Sequence, residues 1–251
     1  MTLNGKVAIV TGSGRGIGKA VALALGDAGA DVVTVARTAS EIEATAAEVR
    51  AKGSKAVAMP TDVCNRAQVN RMVQKVVEQF GKIDILVNNV GGAKGYAVDE
   101  LEMTDEQWDA IFDMNAKSVM LCCQAVAKVM IPRHAGCMIN ISSGASFGPK
   151  LKFAHYAASK AAVNHLSRTF AVAWGPHGIR VNVVAPSSVS TPVSAAYRAT
   201  ISDKDRDRIE RIPLRRWGTP EDTAGAVVFL ASDAASFISG AILPVDGGLP
   251  E

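Results

Sequence analysis

The sequence predicts a doubly wound α/β domain, a seven-stranded parallel sheet with helices on both faces. Three observations predict it. Short β-rich runs alternate with longer helical patterns along the whole chain. Most of those runs are continuously apolar rather than alternating, as strands buried on both faces of a parallel sheet require. The chemically distinctive residues also fall at the carboxyl ends of the runs, the edge where open α/β sheets bind ligands.

The strands are expected at Val7–Thr11, Asp31–Ala36, Lys55–Pro60, Ile83–Asn88, Cys137–Ser142, Arg180–Ala185 and Ala241–Val245. Between them, Lys19–Ala28 is rich in Ala and Leu and stops at Gly29, a natural helix end. Ala39–Ala51 stops before Gly53, and Arg66–Phe80 follows the N-cap candidate Asn65 and stops at Gly81. Thr104 and Gln107 form a capping box that opens one helix running towards Met130. A long helix covers His155 to Trp174, and Thr219-Pro220-Glu221-Asp222 opens the last one with Pro at its first position. No linker, repeat or low-complexity stretch divides residues 1–251, so one domain is expected. Residues 187–217 are polar and break the alternation, which reads as an inserted substrate flap.

A chain of 251 residues, 48% hydrophobic and 20% charged, can bury one large core. Its 27 basic and 24 acidic residues nearly balance, with no Lys/Arg run to suggest nucleic acid or a membrane surface as partner. The N-terminus has no basic leader with a long apolar stretch, and no run approaches a membrane span, so a soluble cytoplasmic protein is expected. The four cysteines lack paired spacing and read as reduced packing residues. His134, His155, His165 and His177 show no ligand spacing, so no metal is expected.

The first strand ends in Thr11-Gly12-Ser13-Gly14-Arg15-Gly16-Ile17-Gly18. Glycines at a helix N-terminus let backbone N–H groups approach a pyrophosphate, which makes Gly12, Ser13, Arg15, Gly16, Ile17 and Gly18 candidate cofactor-binding residues. At the second strand end, many NAD-binding folds place an acid on the ribose 2′-hydroxyl. Here Arg37 and Thr38 stand instead, and a guanidinium favours a 2′-phosphate. Arg15 is placed to clamp the same phosphate.

Tyr156-Ala157-Ala158-Ser159-Lys160 sets a phenol and an ammonium one helical turn apart. Bringing a phenol from about 10 to near 7 takes about 4 kcal/mol of differential stabilisation. A neighbouring Lys and an oxidised nicotinamide are expected to supply it. Ser143, at the fifth strand end, is the candidate to hold the substrate oxygen.

Thr11-Gly12-x-x-x-Gly16-x-Gly18, Asn88-Asn89-Val90-Gly91, Ser143, Tyr156-x-x-x-Lys160, Val181-Asn182-Val183-Val184-Ala185-Pro186 and Val245-Asp246-Gly247-Gly248 together resemble the short-chain dehydrogenase/reductase superfamily, a Rossmann-type fold, over essentially the whole chain. The resemblance implies that Tyr156 is the general acid of reduction and the base of oxidation. It implies that Ser143 polarises the carbonyl, that Lys160 binds the nicotinamide ribose and lowers the phenol pKa, and that Asn115 holds a water in a proton relay. It places Asp62 and Val63 at the adenine, Asn89 and Gly91 beside the adenosine ribose, and Pro186, Val189 and Thr191 at the carboxamide. Ala36-Arg37 resembles members that prefer NADP(H) over NAD(H). A homotetramer is implied, with the helices Thr104–Met130 and His155–Trp174 as one interface.

Val90 replaces the family's usual Ala, a small packing change. Ser187 replaces the Gly that usually follows Pro186; if that residue needs φ > 0, a side chain there costs about 1 kcal/mol or more. The subgroup most similar is the 3-oxoacyl-carrier-protein reductases, although His177 stands where carrier-binding relatives often have Arg. A general ketone reductase acting on a small molecule fits as well. The competing class is a non-catalytic NADPH-binding sensor or scaffold on the same fold.

Overall fold

The computed structural model describes residues 1–93, 97–191 and 209–249. Seven strands, β1 (Val7–Thr11), β2 (Asp31–Ala36), β3 (Ala56–Pro60), β4 (Ile85–Asn88), β5 (Gly136–Ile141), β6 (Ile179–Pro186) and β7 (Ile242–Val245), form one sheet in the order β3-β2-β1-β4-β5-β6-β7. Every pair is parallel. The sequence-expected ends lie within two residues of these bounds.

The continuously apolar strands have a simple cause. Successive side chains point to opposite faces, and both faces are covered. On one face Ile9, Leu86 and Met138 pack against α3 (Arg66–Phe80), α5 (Ser118–Met130) and α6 (Ala154–Trp174), through Val73, Val126 and Val163. On the other, Ala8, Val10, Ile85 and Ile139 pack against α1 (Gly16–Asp27), α2 (Ala39–Ala51) and α7 (Pro220–Ala231), through Val21, Val49 and Val227. Each fully buried Val, Leu or Ile contributes about 1.5–3 kcal/mol.

The caps read from sequence form as expected. Asn65 accepts from the Gln68 amide at 3.1 Å, and Gly81 closes α3 with φ +74°. Thr104–Gln107 makes a reciprocal box at α4 (Asp105–Phe112), as Thr219–Asp222 does at α7.

Two expectations need correction. α1 starts at Gly16, not Lys19, because tertiary contacts hold the glycine turn helical against its poor propensity. The helix from Thr104 towards Met130 is not one α-helix. α4 and α5 are joined by a π turn at Asp113–Lys117, in which the Ser118 amide reaches back to the Asp113 carbonyl. Most of the expected flap, residues 192–208, lies outside the described residues; next to it, Val189 bridges Gly218. No helix among the described residues is long and apolar enough to cross a membrane.

Sheet order reverses between β1 and β4. β2 and β3 continue to one side of β1, and β5 to β7 to the other side of β4. The loops leaving β1 and β4 therefore diverge and open a crevice at the carboxyl edge.

Candidate active site

A cleft of about 1440 Å³ occupies that edge. Its floor begins at the turn after β1. Gly18 lies where a methyl group would overlap the Gly12 carbonyl and Asn89 Nδ2, so only glycine lets α1 settle onto this turn. Asn89 braces it by donating from Nδ2 to the carbonyls of Thr11 and Gly12, both at 3.1 Å. The N-cap residue Arg15 makes no side-chain cap bond at the N-terminus of α1, whose residues Gly16 and Ile17 border the cleft.

Gly12, Arg15, Gly16, Ile17, Arg37, Thr38, Asp62, Val63, Asn89, Gly91, Ser143, Tyr156, Lys160, Pro186, Val189 and Thr191 all line the cleft. Ser13, Gly18 and Asn115 do not. Ser13 is buried beneath the turn, where its Oγ accepts from the Val35 amide at 2.8 Å and its carbonyl from Thr45 Oγ1 at 2.9 Å. Gly18 lies under the turn as described.

Asn115 sits inside the π turn, fully buried. Its Oδ1 accepts from the Gly92 amide at 2.8 Å, and its Nδ2 donates to the Gly92 carbonyl at 3.1 Å and to Ser159 Oγ at 2.9 Å. The amide thus clamps the segment after β4 to α6. A methyl at Gly91 would come within 2.6 Å of Asn115 Oδ1 and 2.7 Å of Lys160 Nζ, so the missing side chain keeps that corner open.

At the β2 end, the guanidinium groups of Arg15 and Arg37 make no hydrogen bond or ion pair with a described residue, although both line the cleft. At the β3 end, Asp62 Oδ1 accepts from the Cys64 amide at 3.0 Å, fixing the loop that presents Val63. Glu41 and Cys64 also line this part of the cleft, and sequence reading missed both. Glu41 is in the first turn of α2, four residues after Arg37, a spacing that could have flagged it. Cys64 was expected as a packing residue; it is half-buried, its thiol pushed up by burial and by Asp62 and Asp113. Cys122, Cys123 and Cys137 are buried, and all four are free thiols.

Ser143, Tyr156 and Lys160 converge on the far wall. Ser143 Oγ accepts from the Ala145 amide at 3.2 Å, which leaves the hydroxyl proton to donate, and Ser143 bonds the Tyr156 phenol. Lys160 is 3% exposed, and its Nζ donates to the Ile141 carbonyl at 2.9 Å. Burial alone brings its pKa down from 10.5 to about 8. Tyr156 departs from the expected direction. Burial raises the phenol, and the Ser143 bond offsets this only in part. The Lys160 ammonium is held by the sheet edge and does not by itself lower the phenol.

Ser187 does not carry the strained conformation. Its amide bonds the Val245 carbonyl at 3.1 Å, and the positive φ, +54°, belongs to Ser188. The cost expected at Ser187 therefore falls one residue later, about 1 kcal/mol for a left-handed non-glycine residue. Lys150 and Arg211 also line the cleft.

A glycine turn and an open helix N-terminus suit a pyrophosphate, and Ser143, Tyr156 and Lys160 converge at the other end of the same cleft. The fold and site define an oxidoreductase that moves hydride between a nicotinamide cofactor and a C=O/CH–OH pair. A family model described as Enoyl-(Acyl carrier protein) reductase matches residues 12–250. The chain belongs to the short-chain dehydrogenase/reductase superfamily.

It is 38% identical over 247 residues to a 2-dehydro-3-deoxy-D-gluconate 5-dehydrogenase of Dickeya dadantii, covering 98% of this chain and 96% of that one. It is equally 38% identical over 249 residues to a 3-oxoacyl-[acyl-carrier-protein] reductase of Synechocystis, covering 98% of each. Among solved structures, a 7α-hydroxysteroid dehydrogenase complexed with NADH and a 7-oxo bile acid superposes with a TM-score of 0.92 at 35% identity, over 98% of this chain and 95% of that one. An Agrobacterium tumefaciens chain provisionally assigned as a 2-deoxy-D-gluconate 3-dehydrogenase, with bound NADP, superposes with a TM-score of 0.91 at 36% identity, over 99% and 97%.

Proposed function

We propose that this chain is an NADP(H)-dependent ketone reductase, with 3-oxoacyl thioesters or small keto acids as its substrate class. The observation that carries the cofactor assignment is the pair of guanidinium groups, Arg15 and Arg37, without a hydrogen-bond or ion-pair partner among the described residues and lining the cleft where no acid ends β2. The substrate class follows the Synechocystis and Dickeya relatives, whose names specify a 3-oxoacyl carrier and a keto sugar acid.

NADP(H), when bound, supplies the hydride and takes it back in the reverse direction. The turn from Gly12 to Ile17 and the N-terminus of α1 bind its pyrophosphate, and Arg15 and Arg37 its 2′-phosphate. Asp62 and Val63 hold the adenine, Asn89 and Gly91 border the adenosine ribose, and Pro186, Val189 and Thr191 orient the carboxamide. Ser143 donates to the substrate carbonyl oxygen. Tyr156 delivers its phenolic proton to that oxygen in reduction and removes it in oxidation. Lys160 holds the nicotinamide ribose, and it favours the phenolate only together with the positive charge of the oxidised nicotinamide. Asn115 acts from behind the wall, fixing Gly92 and Ser159.

Tryptophan fluorescence quenching tests the cofactor assignment. NADPH is expected to bind at least tenfold more tightly than NADH, and Arg37→Asp to abolish the difference, since a charged hydrogen-bonded contact is worth about 1.5–3 kcal/mol. Equal or tighter NADH binding by the wild type overturns it.

We also infer a homotetramer. α4 and α6 carry the stacked pairs Trp108–Phe112 and Phe170–Trp174, and Trp108 and Val172 are exposed. Apolar groups on those helices suit helix-to-helix association. Light scattering at micromolar concentration is expected to give four times the chain mass; a monomer overturns the inference.

A further inference from the structure

The turn that carries Ser143 is held by a hydrogen-bonded chain that starts on α6, two helical turns beyond Tyr156. Asn164 Nδ2 donates to Ser146 Oγ at 2.8 Å, and Ser146 Oγ donates to the Ser143 carbonyl at 2.6 Å. The same carbonyl also accepts from the Ser146 amide at 3.0 Å. These bonds close the short helical turn Gly144–Ser146 and set the Ala145 amide on Ser143 Oγ. We propose that Asn164 and Ser146 are positioning residues for Ser143, keeping its hydroxyl proton directed at the substrate oxygen. The proposal rests on the assignment of Ser143 as the hydroxyl that holds that oxygen.

Each link has one direction. An amide NH₂ can only donate, so the Ser146 oxygen receives the Asn164 bond and spends its single proton on the Ser143 carbonyl. That carbonyl is thereby held from two sides, so the Ser143 backbone cannot turn without breaking both bonds, and the Ala145 amide, set by the same turn, holds Ser143 Oγ.

Asn164 is costly on structural grounds alone. It is 8% exposed, and its Oδ1 is buried with no hydrogen-bond partner among the described residues. An unsatisfied buried acceptor costs about 1–3 kcal/mol, and Asn is a poorer helix former than Leu. A leucine would relieve both costs at this position. Asn164 follows Tyr156 and Lys160 at i+8 and i+4 on one face of α6, so a single helix face presents the phenol, the ammonium and the amide that braces the third group. An unsatisfied polar group retained in such a place is expected to serve the site rather than the fold.

The test uses the full-length enzyme, NADPH and the 3-oxo ester ethyl acetoacetate as probe, with variants Asn164→Asp, Asn164→Leu, Ser146→Ala, Ser146→Thr and Ser143→Ala. Asn164→Asp replaces the donor by an acceptor and draws the Ser146 proton away from the Ser143 carbonyl. Asn164→Asp, Asn164→Leu and Ser146→Ala are each expected to lower kcat about tenfold while the NADPH Kd stays within twofold. Ser146→Thr, which keeps the hydroxyl, is expected to retain activity within about threefold. Asn164→Leu combined with Ser146→Ala should be no worse than either alone, because both break one chain. Asn164→Leu should unfold at or above the wild-type temperature, a result that a merely structural role would not produce. Unchanged kcat in Asn164→Leu and Ser146→Ala, with Ser143→Ala inactive, overturns the relay and leaves the Ser143 assignment standing. Full activity in Ser143→Ala overturns both.

Discussion

Tyr156→Phe is expected to lower kcat for ethyl acetoacetate reduction by about 10²–10⁴-fold, the usual worth of a positioned general acid, and to leave NADPH affinity within threefold. The substitution keeps the ring and its packing and removes only the O–H that Ser143 bonds. Stopped-flow turnover and fluorescence titration of the same sample separate the two quantities. A chain that only senses the cofactor would bind NADPH unchanged and would have no turnover to lose. The raised phenol bears on direction. Reduction needs the protonated phenol, and burial favours that form at neutral pH. Oxidation needs the phenolate, so its rate is expected to climb with pH while the rate of reduction does not.

Lys160→Met is expected to stop turnover and yet to stabilise the fold at pH 7. An ammonium taken from 10.5 in the unfolded chain to about 8 in the folded one is held charged against its surroundings. Between these values the unfolded chain binds more protons, so wild-type stability rises with pH from about 8 to 10.5. Below 8 the full penalty applies, up to about 3 kcal/mol. Methionine removes it and loses the bond to the Ile141 carbonyl, for a net gain of about 1–3 kcal/mol. Denaturant unfolding at pH 7 and pH 10 checks both parts: the variant should lead at pH 7, and the lead should shrink at pH 10. A variant less stable than wild type at pH 7 would show that Lys160 also supports the fold.

Most of the architecture was legible because it rests on composition and periodicity. A run such as Ile85–Val87 is apolar throughout because Ile85 and Val87 face one layer and Leu86 the other. Most of the cleft residues were legible because they stand at or just after strand ends, which the sheet gathers on one edge, while Tyr156 and Lys160 were legible from their spacing on α6. Geometry that depends on a single residue's insertion or rotation was not. Nothing in Phe112-Asp113-Met114-Asn115-Ala116 departs from a helical pattern, so the π turn was invisible. Ser13 was expected at the phosphate because its neighbours are glycines, but local sequence does not show that it is buried with its Oγ accepting from the Val35 amide of the adjacent strand. The strain expected at Ser187 sits at Ser188, since local sequence does not say which residue of a bend turns left-handed. Asn164 carried no signal, because its partner Ser146 is 18 positions away in sequence.

The π turn at Asp113–Lys117 also bears on how such a site is acquired. A regular helix that gains one residue swells at one place and keeps its phase elsewhere. The smallest genetic change that yields this shape is one additional codon. Before and after it, α4 and α5 would show the same faces to the sheet and to α6, so the core has little stake in the event. What changes is Asn115, now placed to grip both the strand-end loop and α6. The helix thus separates two kinds of inheritance: a scaffold indifferent to one residue more or less at this point, and a clamp that exists only with it.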